Sequence, residues 1–222
     1  FTINGSSLQA VASFDFETKT SYSFRLKVTD KGGLSFEKEF SITVINVNEA
    51  PTALALTGTS VLENAASGTA VGTLAGTDAD AGDTHTYTLV TGTGSTDNAS
   101  FTITGTTLST AAVFNFEAKN SYAVRVRVTD AGGLSFERAF TITVTDVNEA
   151  PTLTAITDRR VYNVSTSQVV NLAGITAGPE TAQTTTTSVS TSNPAAFSAI
   201  NVVGTQIQFT LFVGYPTPSP PP

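Results

Sequence analysis

Apolar and polar residues alternate over much of this chain. Tyr122, Val124, Val126 and Val128 are interleaved with Ala123, Arg125 and Arg127. That is a period of two, the mark of a strand with one wet face. The stretch 22–28 has the same pattern: Tyr22, Phe24, Leu26 and Val28 inward, Ser23, Arg25 and Lys27 outward. A tight hairpin is expected at Asp130–Gly133, where two glycines supply positive φ. Phe140, Ile142 and Val144 then continue the inner face. Further strands are expected near 53–58, 69–76, 84–91, 100–104 and 106–111, separated by Gly and Asn/Asp clusters. Seven alternating strands in about 100 residues, with no helical stretch, predict a two-sheet sandwich. Phe101, Phe114, Tyr122 and Phe136 are its expected aromatic core.

The pattern is repeated. Residues 1–52 and 101–152 match at an offset of 100, with 32 of 52 positions identical. The chain therefore reads as all-β tandem seven-stranded Greek-key sandwiches of Ig-like type, one complete and two partial. The expected organisation is 1–50, the C-terminal half of a repeat; 51–150, a complete repeat; 151–213, a divergent partial repeat; and 214–222, a Pro-rich tail. Within the divergent part, strand-like patterns persist at Val169–Leu172 and at Ile207, Phe209, Leu211 and Val213. Its middle is Thr-rich (TTTTSVSTS), and YPTPSPPP suits a polyproline II-like linker. The missing start Met and signal peptide suggest a piece of a longer, processed chain.

Composition narrows the chemistry. The 222 residues hold 18 acidic and 11 basic side chains, for a formal charge of −7. This balance argues against nucleic acid, which needs a basic stripe. No apolar run is long enough to span a membrane. The absence of Cys excludes a disulfide scaffold, a thiolate metal site and a thiol nucleophile. His85 is the only histidine and is expected on an exposed strand edge. A triad needs a nucleophile that nothing here marks. Paired carboxylates without aromatic platforms do not describe a glycosidase cleft. The expectation is that the protein is not an enzyme. Asn4, Asn98 and Asn163 open glycosylation tripeptides, which are common by chance.

The acidic residues gather in short patches: Asp15–Glu17, Asn46–Glu49, Glu63, Asp78–Asp83 and Asp130. In a sandwich of this strand order these are loops and strand ends. Strand-end Asp and Asn also serve as turn formers and caps, so any single patch has an ordinary structural reading. Several carboxylates meeting at one junction repel one another unless a cation lies between them. An all-oxygen donor set suits Ca²⁺, which takes 6–8 oxygens, better than softer metals.

In combination these motifs resemble the cadherin-like repeats of large bacterial surface proteins. Asp78-Ala79-Asp80 resembles the family's DxD, and Asp15-Phe16-Glu17 its DRE with Phe in place of Arg. Asp146-Val147-Asn148-Glu149-Ala150-Pro151 resembles the linker DxNDNxP, with Glu and Ala at the second Asp and the following Asn. Glu63-Asn64 resembles PEN, and Asp130 stands at the family's late single Asp. The resemblance covers 1–150 well and 151–213 poorly.

The resemblance implies Ca²⁺ bound between consecutive repeats. The first junction would use Asp15, Glu17, Asn46, Asn48 and Glu49 with Asp78, Asp80 and Asp130. Asn46, where the motif has Asp, removes one charge. The second junction would use Glu63, Glu117, Asp146, Asn148 and Glu149, with Asn115 replacing the Asp of DRE. The divergent repeat lacks a DxD (Ala173-Gly174-Ile175 stands there), so this junction is expected to hold fewer ions or none tightly. The expected role is a calcium-stiffened rod of an extracellular or cell-surface adhesin. Its partners would be neighbouring repeats in the parent chain, and another adhesin copy, a surface protein or a glycan. The alternatives are a passive spacer, or a fibre subunit joined head to tail by strand complementation.

Overall fold

A computed structural model describes residues 1–157, 167–179 and 183–211. These residues form strands, turns and two short 3-10 segments, with no α-helix. The chain divides into two compact units, Phe1–Thr145 and Asp146–Pro222.

The first unit opens with two hairpins. β1 (Thr2–Asn4) pairs with β2 (Ser7–Gln9), and β3 (Ser21–Thr29) pairs with β4 (Ser35–Thr43), both antiparallel. A complete sandwich follows: β5 (Ala53–Leu56), β6 (Ser60–Leu62), β7 (Ala70–Thr77), β8 (Thr86–Leu89), β9 (Phe101–Thr104), β10 (Thr107–Thr110), β11 (Ser121–Thr129) and β12 (Ser135–Thr145). One sheet has the order β5-β7-β10-β9 and the other β6-β12-β11-β8. All pairings are antiparallel except that of β6 with β12.

All seven expected strands are present, the first stopping at Leu56, and β6 is an additional strand outside every expected range. The segment 53–58 leaves its sheet at Leu56, and the chain resumes as β6 on the opposite sheet. The crossing brings Gly58 onto the backbone of Val71 and Gly72, where a Cβ would overlap the Val71 carbonyl. Alternation alone does not show such a switch, because residues 57–59 belong to neither sheet.

The inner face is as the pattern predicts. Leu54, Leu108, Val124, Val126, Val128 and Ile142 are fully buried. Phe101 and Phe114 are buried, and Tyr122 and Phe136 pack against the core from its margins. Burying each such aliphatic side chain stabilises the fold by about 1.5–3 kcal/mol. Leu56, Leu89, Ile103 and Phe140 touch both halves of this core and join them.

The β3–β4 hairpin copies the β11–β12 register. Val28 faces Phe36 as Val128 faces Phe136. Its environment differs: Val28 is 69% exposed where Val128 is 0%. No residue of 1–50 belongs to the buried core.

In the second unit, β13 (Gln168–Asn171), β14 (Phe197–Val203) and β15 (Gln206–Leu211) form a sheet of order β13-β15-β14. β13 and β15 meet the expectations at 169–172 and 207–211, while β14 was not anticipated. Thr152 bridges Thr176, and Leu172 N–H donates to Thr205 O at 2.7 Å. These contacts reproduce Thr52 N–H to Thr77 O and Leu74 N–H to Thr106 O in the complete sandwich, both 2.7 Å. The unit thus repeats one sheet of the sandwich. That correspondence places the counterpart of 78–80 just after Thr176, at Ala177-Gly178-Pro179, rather than at 173–175; neither stretch carries a carboxylate. Val213, the Pro-rich tail and Asn163-Val164-Ser165 lie outside the described residues.

Candidate metal centre

Four segments converge at one end of the complete sandwich: the 15–17 loop, the 46–51 linker, the loop that follows β7 and the loop that follows β11. The hairpin turn 130–133 supplies Asp130. Its N–H donates to Leu134 O at 3.0 Å, and its Oδ1 accepts Leu134 N–H at 2.8 Å. Only Gly133 of the glycine pair has positive φ, +92°. Gly132 is needed for another reason: a Cβ there would overlap the Asn48 side chain.

The linker binds directly to the sandwich end. Asn46 Nδ2 donates to Asp80 Oδ1 at 2.8 Å, and Glu49 N–H donates to Asp80 Oδ2 at 2.9 Å. Asn48 Nδ2 donates to Asp130 Oδ2 at 3.0 Å and to Glu49 O at 3.2 Å. Asp80 N–H donates to Asp78 Oδ1 at 3.2 Å, which holds the Asp78 carboxylate against the backbone of the DxD turn. Among the described residues of this unit, two carboxylate groups result. Glu17, Glu49 and Asp80 each offer an oxygen within 4.8 Å of the others, and so do Asp78, Asp83 and Asp130.

The electrostatics differ between the two groups. Burial pushes the Glu49 carboxyl above its ordinary value, and the charges of Glu17, Asp80, Asp15 and Asp78 push it the same way. At Asp130 burial also opposes ionisation. There the Asn48 amide and the N–H groups of Leu134, Gly133 and Gly132 outweigh it and hold the pKa below the ordinary value. The first group is therefore a concentration of negative charge with few donors. Such an all-oxygen set is chemically suited to a hard divalent cation.

The other expected site residues divide clearly. Asp15 is exposed, and its Oδ1 accepts Thr18 N–H at 2.9 Å. Asn115 does the same for Ala118 N–H at 2.6 Å. Both act as turn formers, the ordinary role of a short polar side chain at a strand end. Glu63 is 2% exposed, and its Oε2 accepts Phe116 N–H at 2.9 Å. Glu117 is exposed. Asp146, Asn148 and Glu149 belong to the second compact unit, where Asn148 Oδ1 accepts a hydrogen bond from Gln183 Nε2.

Three features were not read from the sequence. Asp83 joins Asp78 and Asp130, although only the DxD pair was singled out within the 78–83 patch. Gly132 gives the linker its close approach. His85 is not on an exposed strand edge. It precedes β8, its side chain is 15% exposed, and its Nε2 lies 3.4 Å from Asp78 Oδ2. Asn98 is also committed to the fold, with Nδ2 donating to Val90 O at 2.8 Å and Oδ1 accepting Arg125 N–H at 3.0 Å.

Comparison with known proteins fits this architecture. Residues 58–145 match the family model of the cadherin domain. Human Protocadherin Fat 4 is 32% identical over 161 residues, which is 68% of this chain and 3% of that protein. Among solved structures, extracellular cadherin domains 1–4 of Protocadherin Gamma B7 align with a TM-score of 0.54 at 19% identity, over 90% of this chain and 51% of that one. The extracellular domain of Protocadherin GammaB4 aligns with the same score at 21% identity, over 90% and 34%. Human Protocadherin-24 EC1-2 gives 0.51 at 20% identity, over 61% and 70%. At these identities the structures carry the fold alone. Protocadherin Fat 4 is human, so these comparisons support the cadherin resemblance and not a bacterial source.

Proposed function

We propose that this chain is a calcium-binding segment of tandem cadherin-like repeats from an extracellular adhesive protein. In this reading 1–50 is a half repeat, 51–150 a complete one and 151–213 a divergent partial one. Calcium is held at the 46–51 junction by Glu17, Asn46, Asn48, Glu49, Asp78, Asp80 and Asp130. Asp83 is added to this set, and Asp15 serves mainly to shape the loop and deepen the negative potential. Support comes above all from one observation: carboxylates from both sides of the linker have oxygens within 4.8 Å of one another. A cation shared by the linker and the sandwich end opposes bending at 46–51, which is how it stiffens a rod. The work of such a segment is to hold and orient adhesive surfaces, with no reaction to catalyse.

The test is calorimetric titration of calcium into the chain and into an Asp78→Ala, Asp80→Ala variant. The parent protein is expected to bind at about 10⁻⁴–10⁻³ M, the range of extracellular modules. The variant is expected to lose at least tenfold in affinity. Absence of a calcium heat in the parent protein overturns the reading.

A further inference from the structure

We infer that Asn46 sets how far this junction depends on a cation: its amide, together with that of Asn48, fastens the 46–51 linker to the sandwich end by hydrogen bonds that need no ion. This deepens the calcium reading of the same junction, and only the calcium arm of the test rests on that reading. Asp80 is the main anchor. Its two oxygens accept from two linker groups, Asn46 Nδ2 at 2.8 Å and Glu49 N–H at 2.9 Å. Asp130 accepts the Asn48 amide on Oδ2 at 3.0 Å and the Leu134 N–H on Oδ1 at 2.8 Å. Three donors of one short segment thus end on two carboxylates that lie 31 to 82 residues further along the chain. Hydrogen bonds to an ionised acceptor are the stronger kind. The Asn46 and Glu49 contacts reach solvent and the Asn48 contact is half-buried, so the fastening is the sum of the three.

The residue type at 46 decides the sign of this contact. An amide carries two N–H donors, whereas an ionised carboxylate only accepts. A carboxylate at 46 would stand at hydrogen-bond distance from that of Asp80, where Glu17 and Glu49 already concentrate negative charge. Like charges so close repel, and a cation between them is what relieves it. The other linker of the chain carries that alternative. Asp146 holds the position of Asn46 ahead of the same Val-Asn-Glu-Ala-Pro run, and 177–179, the counterpart of 78–80, has no carboxylate. The amide is therefore found with the acidic loop and the carboxylate without it. With Asn at 46, calcium adds to a linker already docked instead of creating the docking. The cation also has to compete with the amide for Asp80, so the residue that docks the linker weakens the ion's hold.

The experiment measures the distance across the linker with paired spin labels. The chain has no Cys, so Ser41→Cys and Thr102→Cys, both at exposed strand positions, carry the only labels. In excess chelator the chain with Asn46 is expected to give one narrow distance distribution. Asn46→Ala and, more strongly, Asn46→Asp are expected to broaden it under the same conditions, with the β-sheet circular dichroism unchanged. Millimolar calcium is expected to return Asn46→Asp to the narrow distribution, and calorimetry to show it binding calcium severalfold more tightly than the parent. Equal widths for the parent and Asn46→Asp in chelator overturn the inference, whether both are broad or both narrow. Calcium binding no tighter in Asn46→Asp than in the parent overturns the competition for Asp80. If neither chain responds to calcium, the calcium reading falls, and the widths in chelator still decide the role of Asn46.

Discussion

Asn48 connects the linker to the sandwich through a single amide, and what permits this is a missing side chain. A Cβ at Gly132 would occupy the space of the Asn48 side chain. Gly132→Ala is therefore expected to push Asn48 off Asp130 and to weaken calcium binding severalfold, with every carboxylate left in place. Calorimetric titration checks this, and Gly32→Ala is the control, since that glycine has only its own loop's Asp30 beside it. Glu49 carries the opposite kind of information. Its pKa is raised above the ordinary 4.5, so in the ion-free protein its contribution favours the fold below that value and fades as pH rises through the raised one. Asp15, Asp97, Asp130 and Glu137 are shifted down, so their stabilisation is lost only at more acid pH. With chelator present, the melting temperature is expected to rise as pH falls from neutral toward 4.5. Glu49→Gln is expected to melt higher than the parent at neutral pH and to lose that dependence.

At the scale of elements, burial of an inner face depends on the sheet laid over it. Leu8 and Leu108 occupy the same place in near-identical hairpins, yet Leu108 is 0% exposed and Leu8 38%. Leu108→Ala is expected to cost about 2–5 kcal/mol, the range for a buried leucine that leaves a cavity. Leu8→Ala is expected to cost well under that, since much of its surface is already in water. Urea denaturation of the two variants decides the matter, and equal losses would contradict the burial argument. Hairpin registers were readable from alternation because one wet face and one dry face admit only one phase. The switch of β5 into β6, and the existence of β14, were not. The first depends on a close backbone approach at Gly58, and the second on a run whose apolar residues are spaced irregularly by a bulge between Phe197 and Ala199.

For the whole molecule, the consequence of the proposed cation site is linkage between calcium and folding. A ligand bound only by the folded junction stabilises it by about 1.4 kcal/mol at a tenfold excess over Kd. Millimolar calcium is thus expected to raise the melting temperature of the chain by a few degrees, and chelation to reverse the change. A melting curve indifferent to calcium in the parent protein would leave the junction as a hydrogen-bonded linker only.

Alternation and the 100-residue offset determined, from the sequence alone, an all-β repeat, its inner and outer faces and its hairpin registers, because those follow from local periodicity and steric preference. The acidic patches and their oxygen-only chemistry were equally legible. Only the tertiary structure decided which patches meet. It brought Asp83 to Asp78 and Asp130, turned Asp15 toward its own loop, and placed His85 beside Asp78. It also decided which inner-face positions are sealed: Leu54 and Leu74 of one sheet close over Val126 and Val128 of the other. Burial depends on what packs across the sheet, and residues distant in sequence supply that.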